Sequence, residues 1–401
     1  MIRASLRLGG TALGAVLTVT GLVAAPASAG QPAPAAQTVT VVASGLDNAR
    51  GILVGPGGVL LVAEAGRGGA GPCVPAPSQP QLQICLGQSG AVTAVVPPGV
   101  LSFGQPRANQ SAQWRQYRVV TGLPSLAGDD GSAALGPERL SFSGGRLLAT
   151  VSLGGNTAMR DALGTGGAHL AHLLELRPGG SGTPFADMLA FEAANNPDGP
   201  YGGVVDSNPW GLVSLDDGRT IVTDAASNDL VTVSATGQVS LLAVVPPSQV
   251  PAPPFLGLPA GTLITSQSVP TGIVRGPDGA FYFGQLTGFP FPVGGANVFR
   301  ITAAGALSTY ATGFTNVIDV AFDRRGRLLV LSYAKDGLTS TLPGALPVGS
   351  LTRINADGTR QELAAGQLLA PGGLAVGPDD AIYVANNSVT AGQGQILRIT
   401  G

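Results

Sequence analysis

The chain is short of charge and almost without several reactive side chains. Of its 401 residues, 11% are Asp, Glu, Lys or Arg, and the formal net charge is −2. That balance attracts neither a nucleic acid backbone nor an anionic membrane, so nucleic acid is not an expected partner. Lys335 is the only lysine. Its solitude excludes most lysine-based catalysis and any phosphate-cradling Gly-x-x-x-x-Gly-Lys loop. No Gly-x-Ser-x-Gly elbow occurs, and no cysteine is placed as a nucleophile. The glycine-rich runs at 66–71 and 164–167 follow strand-like segments but lack a helix to receive them, which argues against dinucleotide binding. The two histidines, His169 and His172, are three apart. On a strand that spacing points them to opposite faces, so both read as ordinary blade residues. After the first 25 or so residues no long apolar run recurs, so no membrane span is expected in the mature chain.

What the chain has is repetition. An apolar run, a turn and a second apolar run recur six times: 51–54 with 59–63, 138–142 with 147–151, 211–215 with 220–223, 272–275 with 280–283, 319–322 with 328–331, and 373–376 with 381–385. The turns carry Pro and then Asp or Gly, as at Pro277-Asp278-Gly279, which suits tight antiparallel hairpins. A third strand-like segment follows each hairpin, at 91–96, 172–176, 230–234, 298–302, 351–355 and 396–400. A fourth follows at 117–122, 186–191, 240–245, 307–312 and 361–366, but is missing after the last copy. Residues 39–46 supply it from the other end of the chain, and they resemble 118–123 and 310–314 in ending on Gly before Leu or Phe.

A repeat of this period whose first strand completes its last unit closes a ring. The fold class expected is therefore all-β: a six-bladed β-propeller of four-stranded antiparallel blades, with a two-sheet sandwich as the competing architecture. The second strands are almost continuously apolar, as befits strands covered on both faces. Residues 39–401 form the propeller domain. Before it, residues 1–29 read as a cleavable signal peptide: Arg3 and Arg7, an apolar stretch, then Ala27-Ser28-Ala29. Residues 30–38 read as a flexible Pro/Ala-rich lead-in. The chain is thus expected outside the cell as a monomer. Cys73 and Cys85 share one loop. In an exported protein such a pair most often forms a disulfide, whereas a metal pair without nearby histidines is poor.

Propeller topology sends the connections that enter first strands and those that leave second strands to the same end. Seven long insertions fall there: 64–90, 152–171, 192–210, 246–271, 285–297, 332–350 and 386–395. Only 97–116 is long at the other end. Loops gathered on one rim of a rigid scaffold are the usual place for binding. Residues just past the second strands ring that mouth, namely Glu64, Ser152, Asp224, Gln285, Ser332 and Asn386, joined from the entering side by Asn48, Arg50, Glu138, Asn208, Trp210, Asn316 and Asp319. Carboxylate and amide oxygens there are hard ligands suited to Ca²⁺ or another divalent cation. The same oxygens could instead cap the blade ends. Trp210 is a stacking surface on the loop-rich face.

Several segments resemble the ScyD/ScyE family of secreted proteins: 45–51, Glu64-Ala65-Gly66-Arg67-Gly68-Gly69, 207–212, 223–230, 270–272 and, most narrowly, Leu286-Thr287-Gly288-Phe289-Pro290-Phe291-Pro292. The resemblance covers essentially all of the chain after the signal. It implies an exported six-bladed propeller of undefined biochemical activity, with the position before Leu286 usually Glu in the family and Gln285 here. Taken together, the expectation is binding of a small molecule or peptide at the mouth by Arg50, Glu64, Asn208, Trp210, Asp224, Gln285 and Asn386, without established catalysis. A second expectation is a metal-assisted hydrolase or lactonase in which Glu64, Asn208, Asp224 and Asn386 hold a divalent cation. A third is a scaffold for an envelope protein.

Overall fold

The structure is a computed structural model that describes residues 37–100, 113–177, 179–341 and 344–401. The expected signal peptide, most of the lead-in and the middle of 97–116 lie outside the described residues. Blade 1 is built from β2 (Ala49–Val54), β3 (Leu60–Glu64), β5 (Gln79–Val96) and β6 (Arg115–Ala127), and β4 (Cys73–Ala76) pairs onto the outer half of β5. Blade 2 runs β7 (Pro137–Ser143), β8 (Arg146–Val151), β9 (His172–Leu176) and β10 (Gly182–Asp187). Blade 3 runs β11 (Pro209–Ser214), β12 (Thr220–Asp224), β13 (Asp229–Val233) and β14 (Val239–Val244). A hairpin of β15 (Ser248–Pro251) and β16 (Leu263–Ser266) separates it from blade 4: β17 (Pro270–Arg275), β18 (Phe281–Gln285), β19 (Ala296–Ile301) and β20 (Leu307–Phe314). Blade 5 is β21 (Val317–Phe322), β22 (Leu328–Ser332), β23 (Ser350–Ile354) and β24 (Arg360–Leu363). Blade 6 is β25 (Gly373–Val376), β26 (Ile382–Asn386), β27 (Gly394–Thr400) and, from the other end of the chain, β1 (Thr38–Leu46).

Ring closure is carried by β1 against β27, paired antiparallel from Thr38↔Thr400 to Leu46↔Gly394. The chain is a six-bladed β-propeller of four-stranded antiparallel sheets.

The continuous apolarity of the second strands has a direct physical origin. Six buried apolar clusters lie one at each blade–blade interface. Alternate residues of a second strand join opposite clusters. In β22, Leu329 and Leu331 pack toward blade 6, while Leu328 and Val330 pack toward blade 4. In β12, Val222 faces blade 2 and Ile221 faces blade 4. A strand with a neighbour on each face has no solvent side. The hairpin turns follow the expected chemistry: Gly279 takes φ +79° in blade 4, and in blade 6 Asp380 takes φ +63° at the matching position.

Besides the β15–β16 hairpin in 246–271, three further insertions carry helix or strand that repetition could not reveal. The strand expected at 186–191 is corrected: the fourth strand of blade 2 is β10, and it ends at Asp187. There the Asp187 side chain accepts the Ala190 N–H and caps α2 (Met188–Asn195), and Asn196 closes that helix in the left-handed conformation. A side-chain cap followed by Met-Leu-Ala-Phe-Glu-Ala-Ala favours helix over a strand. The insertion 152–171 carries α1 (Thr157–Ala162), capped by Asn156. Within 64–90, Cys73 and Cys85 are direct cross-strand partners and form a disulfide.

The disulfide crosslinks a hairpin that is already paired and closes a loop with a sequence separation of 12. Replacing both cysteines with serine should therefore lower the unfolding free energy by no more than about 3 kcal/mol, read by denaturant titration. The β-sheet circular dichroism should stay intact, and loss of the folded spectrum would show that the pair holds the ring itself.

Candidate functional site

The first strands meet around the axis, and those of blades 1 to 5 carry a local irregularity. In blades 1 to 4 the register slips between Ala49 and Ile52, Pro137 and Leu140, Pro209 and Leu212, and Pro270 and Ile273, and in blade 5 between Val317 and Asp319. Such bulges bend a strand and re-aim the residues within them. They set two rings about the axis. The outer position holds Arg50, Glu138, Trp210, Thr271, Ile318 and Gly372; the next holds Gly51, Arg139, Gly211, Gly272, Asp319 and Gly373. Glycine occupies this second ring wherever an arginine or aspartate does not.

Arg139 and Asp319 belong to blades 2 and 5, opposite one another, and they meet: Nη2 lies 3.4 Å from Oδ2. Arg139 also donates to the carbonyls of Gly372 at 3.0 Å and Ile318 at 3.3 Å, and its guanidinium carbon sits 5.6 Å from the Trp210 ring centroid. Asp319 accepts the Val320 and Leu374 N–H groups, each at 2.9 Å. A methyl group at Gly51 would collide with Arg139, and one at Gly272 would collide with Asp319. Burial raises the Asp319 carboxyl above the ordinary range despite the opposing pull of Arg139.

Above this plug, Arg50 donates to Ser388 O and Ala134 O, both at 2.7 Å, and places Nε 3.4 Å from Glu138 Oε2. Glu138 is fully buried and accepts the Ser152 hydroxyl at 2.9 Å; burial raises its carboxyl, with Arg50 and Arg139 resisting. Arg50, Trp210, Leu286, Tyr333, Leu338 and Val389 then line a cavity of about 190 Å³. Trp210 Nε1 and Arg50 Nε are buried without a hydrogen-bond partner. A larger cavity, about 660 Å³, opens at the hairpin-turn end between blades 1 and 2, lined by Pro56, Leu61, Tyr117, Phe142 and Leu147. None of its polar wall residues is buried.

The residues just past the second strands act within their own blades. Glu64 accepts Asp47 N–H at 2.6 Å and the Thr93 hydroxyl at 2.5 Å, and pairs with Arg118 at 3.0 Å. Asp224 accepts Asn208 N–H at 2.6 Å and the Ser207 hydroxyl at 2.5 Å. Asn386 accepts Leu369 N–H at 2.8 Å, Ser152 accepts Gly136 N–H at 2.8 Å, and Gln285 bonds Ser268 and Asn297. Each ties down the chain entering or leaving its blade. The structure thus brings Asn208 to Asp224, and Arg50 and Trp210 to one cavity. It leaves Glu64, Asp224 and Asn386 on blades 1, 3 and 6, turned toward their own loops rather than to a common point. Trp114 packs edge-on against Tyr383, 6.1 Å between centroids. The segment before β9 is irregular rather than extended, so His169 and His172 come within 6.0 Å, and His172 Nε2 lies 3.5 Å from Asp187.

Repetition did not reveal a second group of acids, on the loop-rich end of blade 3. Glu192 on α2, Asp198 and Asp206 in the following loop, and Asp224 and Asp229 at the facing ends of β12 and β13 form this group; burial raises all five, and neighbouring carboxylates raise all but Asp224 further. Burial first, then Asp198, Asp224 and Asp206, push Glu192 up to about 8. Burial with Asp224 and Asp198 pushes Asp206 up to about 7. Asp229 is raised well above its ordinary value by burial and by Asp224, Glu192 and Asp198.

No protein-family model and no curated protein matches the sequence. Among solved structures, a streptogramin B lyase aligns over 91% of this chain and 97% of its own at 14% identity, with a TM-score of 0.45. A candidate gluconolactonase aligns over 92% and 93% at 12% identity and 0.46. A protein of unknown function from Bacteroides thetaiotaomicron aligns over 91% and 76% at 10% identity and 0.49. At this distance the likeness bears on nothing beyond fold.

Each raised carboxyl binds its proton more tightly in the folded chain than in the unfolded one. That stabilising contribution is whole below the ordinary carboxylate range and is lost as pH rises, for Asp206 and Glu192 through about 7 and about 8. In chelator-containing buffer the thermal midpoint should therefore fall from about pH 5 to about pH 9. A midpoint that is flat or climbs across that interval would contradict the burial of these acids.

Proposed function

We propose that this is an exported propeller of the ScyD/ScyE type that binds a small planar organic anion in the cavity at the loop-rich mouth of its axis. The observation that carries the reading is the make-up of that cavity: a buried guanidinium, Arg50, with the aromatic rings of Trp210 and Tyr333 in otherwise apolar walls. Apolar walls with a few placed polar groups are the usual composition of a small-molecule site. The volume, below the roughly 300–1,000 Å³ of sites for drug-sized ligands, suits a single substituted ring. Leu286, which opens the narrowest family-like segment, supplies part of the wall. Export is supported by the disulfide, which persists in oxidising compartments. No helix among the described residues is long and apolar enough to cross a membrane.

Only two tryptophans occur, Trp114 and Trp210, so Trp114→Phe leaves Trp210 as a reporter in the cavity wall. Benzoate and 4-hydroxybenzoate should quench its fluorescence saturably. Arg50→Met should weaken that binding at least about tenfold, the scale of one lost charge-assisted contact. Tyr333→Phe serves as a milder second variant if Arg50→Met unfolds. Quenching that does not saturate, or that both folded variants leave unchanged, would rule the site out.

A further inference from the structure

Burial without partners is the unusual property of the acidic group on blade 3. Glu192 and Asp229 are each 1% exposed, and all four of their carboxylate oxygens lack a hydrogen-bond partner. Asp198 is also 1% exposed; its Oδ2 accepts Asn228 Nδ2 at 2.9 Å while its Oδ1 has none. The side-chain carbonyls of Asn196 and Asn208, from the same connection, are buried and unpartnered too. As carboxylates and amide carbonyls all of these atoms accept, so while the acids are ionised none can satisfy another. The charges acting on Glu192, Asp206 and Asp229 are all carboxylates. Asp224 differs, because four donors surround it: Ser207 Oγ and the N–H groups of Asn208, Ala226 and Ser227.

A buried carboxylate without a partner costs several kcal/mol, so native chains pair such groups, give them a metal or, lacking both, hold them protonated, which is the direction burial pushes Glu192 and Asp229 when no ion is bound. The positions are held by the fold rather than by chance rotamers. Glu192 projects from α2, which Asp187 caps, and Asp229 stands at the start of β13, in register with Asp224. Asp198 anchors the loop between them through Tyr201 N–H and Gly203 N–H on its own carbonyl. A methyl group at Gly203 would run into the Asp198 carboxylate, so that turn is shaped around the acid.

We propose that the loop-rich end of blade 3 is a calcium site, in which one ion draws together Glu192, Asp198 and Asp229 beneath α2, with neutral oxygens from the 196–208 connection and water completing its shell. Among the described residues no three His, Cys, Asp or Glu side chains already converge enough to hold a metal ion, so binding requires these carboxylates to rotate inward. Calcium is favoured over magnesium because it accepts six to eight oxygens in flexible geometry, amide carbonyls included. The site is separate from the axial cavity and adjoins the blade-end residues Asn208 and Asp224. Its role is to fasten the 188–208 connection over blade 3, and so to steady the Pro209–Trp210 entry to the axis.

The full exported chain, stripped with a chelator and dialysed, is titrated with CaCl2 by calorimetry at pH 7.5 and melted with and without the ion. The expected result is one calcium per chain and a thermal midpoint raised by several degrees, with Mg²⁺ at equal concentration giving a smaller shift. Glu192→Gln and Asp229→Asn should each abolish calcium binding and leave the chelated protein at least as stable as wild type, since an uncompensated charge is gone. Absence of calorimetric heat together with an unchanged midpoint in wild type overturns the proposal, and needs no variant to fold. Calcium binding that survives both substitutions overturns it equally.

Discussion

One guanidinium fills the centre of this ring. Six first strands converge on an axis that their backbones cannot occupy, and Arg139 crosses it from blade 2 to meet Asp319 on blade 5. Everything near the axis is arranged around that pair. Glycine at the four other matching positions leaves the room, the bulges aim the two side chains inward, and threonines tie the bulges together. Thr150 takes the Arg139 N–H and gives its hydroxyl to Trp210 O; Thr223 does the same from Gly211 to Thr271 O. Backbone carbonyls of blades 5 and 6 complete the coordination of Arg139, so one side chain bonds to half the ring. Replacing it with an apolar residue would leave those carbonyls without a donor, because buried polar groups are costly to orphan.

The plug also shapes what the protein can do. It crosses the axis beside a small cavity that Arg50 and Trp210 line, and it sets a guanidinium over the Trp210 ring. The cavity at the mouth thus sits directly against the pair that crosses the axis. The loop-rich end supplies the remaining wall from Leu286, Tyr333, Leu338 and Val389.

Blade number, blade boundaries and the closing strand were legible in the sequence because each rests on local rules: turn residues, strand length and double-sided apolarity. The fourth strand of blade 2 was not. Its apolar residues 188–191 read equally as strand or helix, and the Asp187 cap decides between them. Among site residues, Arg50 and Trp210 were legible from position alone. The blade-end oxygens of Glu64, Asp224, Gln285 and Asn386 were legible as a ring, but not in their direction, because the N–H groups they accept come from loops of unrelated sequence. Asp319 was legible as a residue of the mouth, but its partner Arg139 was missed although the signal was present: aligned on their turns, the repeats show glycine at that position in four copies and opposite charges in the other two. The acids of blade 3 carry no such signal. Glu192, Asp198 and Asp229 come together only through a helix and loop that repetition does not describe.

The account stands most directly on whether Arg139 and Asp319 act as one buried unit. A double-mutant cycle on unfolding free energy, with Asp319→Leu, Arg139→Met and both together, tests this. Breaking a buried pair from one side should cost about 3–5 kcal/mol, and the double substitution should recover a large part of that loss. Costs that are small, or that simply add, would show that the axis is held by something other than this pair.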